Sequence, residues 1–222
     1  MSSRRRWVNA IVATGFITGG VMINSSSVDA GVKQKTAARF LKNAKQGTPK
    51  FKKAGNLSFG PNGLLLVVDG DSVVAIDTGD RGPLKKLKAP VKDVANALAA
   101  ASGARSVKVV DLAVNPLSGT VYFSVSRQPG NQPAILTVDG DGQVGTLGGS
   151  KLAYSRVTLP SEEGTRVGRI TGVGFAGERI LAAGQSSGAF ASKIYSIPVP
   201  VNHGASADIF SAETYHVSHR RW

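Results

Sequence analysis

Asp111-Leu112-Ala113-Val114-Asn115-Pro116-Leu117-Ser118-Gly119 runs into Val121 to Val125, a loop through Gly130, and then Ile135-Leu136-Thr137-Val138-Asp139. The apolar runs are short and fenced by Asn, Pro, Ser and Gly, which is the punctuation of strands and not of helices. Pro116 presets φ, and Gly119 supplies the positive φ that a reversal needs. The unit reads as a strand, a turn, a strongly apolar strand, a polar loop and a third alternating strand.

The same layout occurs on either side. Upstream, Asn56-Leu57-Ser58-Phe59-Gly60-Pro61-Asn62-Gly63 leads into Leu64 to Val68, a turn at Asp69-Gly70-Asp71, and Val73-Val74-Ala75-Ile76-Asp77. Downstream, Gly172 to Glu178 leads into Ile180-Leu181-Ala182-Ala183, a loop over Gly184–Gly188, and Ile194-Tyr195-Ser196-Ile197. Leu57, Leu112 and Val173 are the matching positions, 55 and 61 residues apart. Repetition of a small sheet at such a period predicts an all-β chain of β-propeller-like repeats, with blades over about 55–105, 106–165 and 166–222. A β-sandwich is the competing arrangement. Closed propellers have four to eight blades, so about three blades predict an incomplete ring or copies that self-associate to cover its edges. Within this region Val91 to Ala101 reads as a helical insertion, and Asp141-Gly142 as a two-residue hairpin turn before Gln143-Val144.

Composition agrees with an all-β chain rich in turns: 27 Gly and 10 Pro in 222 residues, 41% apolar and 6% aromatic. There is no cysteine, which excludes disulfides, thiolate metal sites and cysteine nucleophiles. Residues 1–30 read as a secretory signal peptide. Arg4-Arg5-Arg6 form its positive start, Trp7 to Ile23 its apolar stretch, and Asn24 to Ala30 a polar end with small residues near the cut. The predicted address is periplasmic or extracellular, the alternative being an uncleaved anchor over residues 7–23.

The formal charge is +13, and residues 31–222 keep 24 basic and 13 acidic side chains. Between Asp29 and Asp69 there is no acidic residue, while Lys33, Lys35, Arg39, Lys42, Lys45, Lys50, Lys52 and Lys53 all fall there. Residues 31–54 read as a basic linker with a short helix over about Gln34–Lys45. The functional alternative is an electrostatic contact with an anionic surface, such as membrane lipid or an envelope polymer. Nucleic acid is the weakest of these partners, because the segment offers few aromatic rings for base stacking.

At Asn56–Pro61, Asp111–Thr120 and Phe190–Pro200 the chain resembles an uncharacterised family of exported bacterial β-propeller-like proteins. The residues that carry the resemblance are Asp111 to Pro116, Val121-Tyr122-Phe123-Ser124-Val125-Ser126-Arg127, Ala191 to Pro198, and Tyr215-His216-Val217-Ser218-His219-Arg220-Arg221-Trp222. It covers nearly all of residues 55–222 and implies a propeller fold, export, and a chain corresponding to the N-terminal part of a longer protein. More distantly the repeats resemble lactonase-type propellers grouped with gluconolactonases. That likeness implies a divalent cation, Ca²⁺ or Zn²⁺, held by carboxylate oxygens beside a carboxylate that activates water.

The residues give such chemistry thin support. Asp69, Asp71, Asp77, Asp80, Asp139 and Asp141 sit at turns or strand ends, where Asp bonds to its own backbone. Asp69 with Asp71, and His216 with His219, are the metal-ligand candidates by spacing. Gly184-Gln185-Ser186-Ser187-Gly188 has the outline of a nucleophile elbow, and Gly172-x-Gly174-x-x-Gly177 that of a dinucleotide loop. Both lie inside a strand pattern with no helix to follow. The sequence therefore predicts an exported binding or scaffold protein without catalytic residues or cofactor, the alternative being a metal-dependent lactonase-type hydrolase.

Overall fold

The computed structural model describes residues 36–148, 152–187 and 191–212. The expected signal peptide, Lys33, Lys35, His216, His219 and the Tyr215–Trp222 ending lie outside the described residues. Among those described, no helix is long and apolar enough to cross a membrane.

The chain is all-β. In order the strands are β1 (Leu41–Lys42), β2 (Lys45–Gln46), β3 (Leu57–Phe59), β4 (Leu64–Val68) and β5 (Ser72–Asp77). One α-helix among the described residues, α1 (Val94–Ala101), precedes β6 (Ser106–Val114), β7 (Val121–Gln128), β8 (Gln132–Val138) and β9 (Val144–Thr146). Then come β10 (Ala153–Thr158), β11 (Val167–Ala176), β12 (Arg179–Ser186), β13 (Ser192–Pro198), β14 (Val201–Asn202) and β15 (Asp208–Ala212).

Three antiparallel sheets result. Sheet I has the order β2-β10-β5-β4-β3, sheet II β6-β7-β8-β9, and sheet III β11-β12-β13-β15; β1 and β14 form a short parallel pair. Each expected repeat supplies three consecutive strands of one sheet: β3 to β5, β6 to β8, and β11 to β13. The fourth strand of sheet I, however, is β10, which reaches β5 only after sheet II is complete.

Sheet I lies between the other two. Every residue of β4, and Ser72 to Ile76 of β5, is buried. Leu64, Leu66, Val73 and Ala75 pack with Ile180, Ala182, Tyr195 and Ile197 of sheet III. Leu65, Val67, Val74 and Ile76 pack with Tyr122 and Ile135 of sheet II. Burial on both faces is why these two strands read as unbroken apolar runs instead of alternating. A fully buried Leu or Val contributes about 1.5–3 kcal/mol, so this middle layer dominates stability. Sheet III, with one face open, alternates buried and exposed along β12.

The outer face of sheet II is covered by α1, whose Leu98 joins Phe123, Val125, Leu136 and Val138. Asp93 caps this helix, its carboxylate accepting the Asn96 N–H at 3.1 Å. The expected helix is thus present, starting three residues later than the alanine-rich pattern suggested.

The segment before the sheets differs from expectation. In place of the expected helix over 34–45, the described residues from 36 onward form one 3-10 turn at Ala37–Phe40, then β1 and β2. Nor is it a solvated linker. Ala37, Phe40, Pro49 and Ala54 are buried, and Phe40 meets the Phe175 ring edge-on at 5.4 Å. Tertiary burial of Phe40 outweighs the weak helical period. The hairpin at Asp141-Gly142 is also longer than two residues: Asp139 N–H bonds to the Gln143 carbonyl, leaving Gly140-Asp141-Gly142 as the loop.

Candidate functional site: a basic cleft between the sheets

The Gly70-Asp71 turn between β4 and β5 places Asp69 at the end of sheet I with its side chain wholly buried. One carboxylate oxygen accepts the backbone N–H groups of Lys52 (2.8 Å) and Lys53 (2.6 Å). The other takes the Arg156 guanidinium at 2.5 Å, and Arg156 also donates to the Lys50 carbonyl at 2.7 Å. Charge-assisted bonds of this kind are about twice as strong as neutral ones. Gly55 N–H and the Asn56 carbonyl then bond to the backbone of Val68. The basic segment is therefore fastened along the end of β4, and its lysine side chains project away from the core.

Two edge strands flank this segment. On β6 a bulge between Val109 and Asp111 inserts Val110, which is 51% exposed. Past the bulge, Asp111 accepts the Leu57 N–H at 2.9 Å and so ties β6 to β3. On β11, irregularities between Val167 and Arg169 and between Ile170 and Gly172 interrupt its pairing with β12. A bulge bends its strand and spoils the edge for further pairing, so the two edges stay apart and do not zip together.

The space left is a cleft of about 1190 Å³. Lys52 to Asn56, Gly70 and Asp71 line one side, Lys108 to Val110 with Val125 and Pro133 a second, and Val167 to Ile170 a third. Four cations, Lys52, Lys53, Lys108 and Arg169, face one acidic residue, Asp71. Lys52 Nζ is 3.8 Å from Asp71, an exposed pair that contributes little. Lys53, Lys108 and Arg169 make no ion pair among the described residues. Concentrated positive charge in a concave, partly apolar site attracts and retains anions.

The predicted metal ligands fall elsewhere or are engaged. Both oxygens of Asp69 are occupied by protein donors. Asp71 is at the cleft rim, accepting from Ser72 Oγ at 3.1 Å. No group of three or more His, Asp or Glu placed to hold a metal ion occurs among the described residues. The remaining candidates serve turns and ion pairs. Asp77 pairs with Arg81 at 2.5 Å, Asp139 accepts two N–H groups of its own loop, and Asp141 binds Lys85 and Lys88. Those two lysines hold the Asp141 carboxyl below its ordinary range.

At the opposite end of the sheets, Asp80 accepts Ser118 Oγ at 2.6 Å and the Tyr122 hydroxyl at 3.1 Å, joining sheet I to sheet II. Burial, and secondarily the Asp80 charge, push the Tyr122 phenol well above its usual value. Ser186 ends β12 and Ser187 Oγ accepts the Arg166 N–H, so neither opens a helix. Gly172 and Gly174 lie within β11, and Gly177 in its turn to β12.

Of the basic residues singled out by sequence, Lys52 and Lys53 reach the cleft. Arg39 stacks over Phe40, and Lys45 lies beside His203. Lys108 and Arg169 were not foreseen, because their strands come from different repeats and nothing in the local sequence brings them together. No family model, curated protein or solved structure matches this chain.

Proposed function

We propose that this chain is an exported binding or scaffold protein of propeller-like build, and that its cleft holds an anionic ligand. One observation carries the reading: Lys53, Lys108 and Arg169, from three separate parts of the chain, line a single concavity with no acidic partner among the described residues. Such an array is unfavourable in the empty protein and is relieved by a bound anion. The stacking of sheets face to face, each opening with a strand near the cleft, supports the propeller-like reading. The basic, mostly apolar leader supports export.

The test is a calorimetric titration with a panel of inorganic and organic anions, at low and at physiological salt. It is repeated on a triple variant, Lys53→Gln, Lys108→Gln and Arg169→Gln. The expected result is binding that weakens with salt and falls about tenfold or more in the variant, equivalent to about 1.4 kcal/mol. Equal affinity in the variant overturns the cleft as the site. Recovery of the protein from the cytoplasmic fraction of its host overturns export.

A further inference from the structure

We infer that the ligand class of the cleft is a single-chain aliphatic anion: an alkyl chain ending in a phosphate or carboxylate, bound as a monomer. This rests on the cleft being an anion site and adds what the rest of the ligand is.

The argument starts from the lining. Between the cations the walls are branched aliphatic: Val68, Val109, Val110, Val125, Val167 and Ile170. Among the described residues no aromatic ring lines the cleft. A sugar or a nucleobase is ordinarily held on such a ring, so this surface lacks the platform either one needs. Among the described residues Asp71 is the one carboxylate in the lining, and Asn56, Ser126 and Asn131 add neutral polar groups, so the site offers a ligand ammonium little charge to pair with.

Size and edge chemistry narrow the class further. At about 1190 Å³ the cleft is much larger than a bare phosphate requires, and its volume exceeds that of ordinary small-molecule pockets. A polypeptide strand would gain most of its affinity by pairing with a free sheet edge. Here both available edges carry bulges, at Val110 on β6 and around Gly168 and Thr171 on β11, and a bulged edge pairs poorly. What remains attractive is apolar area beside fixed positive charge. Lysine suits this role, since its stem lies on aliphatic surface while the ammonium reaches the headgroup.

The experiment is a titration of the full chain with inorganic phosphate, butyl phosphate, octyl phosphate, decyl phosphate and decyltrimethylammonium, each below its micelle concentration. Sedimentation with phosphatidylglycerol vesicles runs in parallel. Decyl phosphate is expected to bind about fifteenfold tighter than octyl phosphate, since each of the two added methylenes tightens binding about fourfold when buried. Lys108→Gln with Arg169→Gln should weaken all the alkyl phosphates about equally. Val110→Ser, a neutral change at an exposed position where folding is spared, should weaken decyl phosphate several-fold more than it weakens inorganic phosphate. Equal affinity for phosphate with and without a chain overturns the aliphatic class and leaves the anion site standing. Binding of decyltrimethylammonium as tight as decyl phosphate overturns both. Failure of every phosphate at low salt overturns the anion site itself. Vesicle binding without monomer binding overturns the monomeric ligand in favour of a membrane surface.

Discussion

Arg156 and Asp69 stand 87 residues apart in sequence and meet as an ion pair whose carboxylate is wholly buried. Asp69 thereby joins three things that have no local reason to be together: the end of β4, the second half of β10, and the basic segment at Lys52-Lys53. Asp69→Asn keeps the shape but removes the charge and one acceptor. Breaking a buried pair from one side costs about 3–5 kcal/mol. Chemical denaturation should show that loss, and proteolysis near Lys50–Lys53 should become faster. Unchanged stability would mean that the backbone bonds of Gly55 and Asn56 hold the segment unaided.

A buried cation in sheet III behaves differently. Lys193 is 1% exposed in its side chain, and its Nζ is 2.7 Å from Glu162, whose own side chain is 43% exposed. Lys193→Met keeps the stem and removes the charge, so stability should hold or rise by up to about 1–4 kcal/mol. Glu162→Gln leaves the ammonium buried with a weaker partner and should cost about 1–3 kcal/mol. Thermal or urea unfolding of the two variants reads this opposite sign directly.

His203 predicts a pH dependence. Its Nδ1 accepts the Arg156 N–H at 3.2 Å, which requires a neutral nitrogen there. Burial first, then Lys45 and Arg156, hold its pKa below 6.5. The unfolded chain therefore binds a proton before the folded one does. Stability from this group is complete above about pH 6.5 and is lost as pH falls toward the folded value. His203→Gln should flatten that fall between about pH 7.5 and 5.5, where ordinary carboxylates do not titrate. A parallel curve for wild type and variant would remove His203 as the cause.

Gly119 and Gly177 both have positive φ, yet they should respond very differently to alanine. At Gly119 (φ +78°) a Cβ would overlap the Lys85 carbonyl oxygen, where residues 80–85 lie against the turn after β6. At Gly177 (φ +65°) the space is open. Gly177→Ala carries the backbone penalty alone, about 1 kcal/mol, whereas Gly119→Ala should cost several times as much. Equal melting temperatures for the two variants would show that residues 80–85 yield at little cost.

Much of the fold was readable from local pattern. Leu64 to Val68 and Ser72 to Asp77 announce themselves by continuous apolar residues between turn signals, and α1 by its alanine run before Gly103. What failed to show depends on long-range pairing. Residues 153–158 fall within the second expected blade, 106–165, yet pair with β5 of sheet I; they become a strand there because β5 offers a buried edge. The helical spacing of residues 34–45 was real but weak, and burial of Phe40 overrode it. At the site, Lys52 and Lys53 were visible as part of a charge run. Lys108 and Arg169 were not, since each is one ordinary cation in its own strand. Asp69 looked like a turn residue because Arg156 is far away in sequence.

The late arrival of β10 bears on how the protein is made. On a ribosome the chain emerges from its N-terminus, so β3, β4 and β5 are available long before Ala153–Thr158. During that interval the Val73-Val74-Ala75-Ile76 edge has no strand beside it, while the whole of sheet II is still being synthesised. An unpaired, uncharged, apolar edge of this kind recruits strands from other nascent chains. Slow translation through residues 78–152 should therefore lower the soluble yield, and holdase chaperones that shield extended apolar segments should restore it.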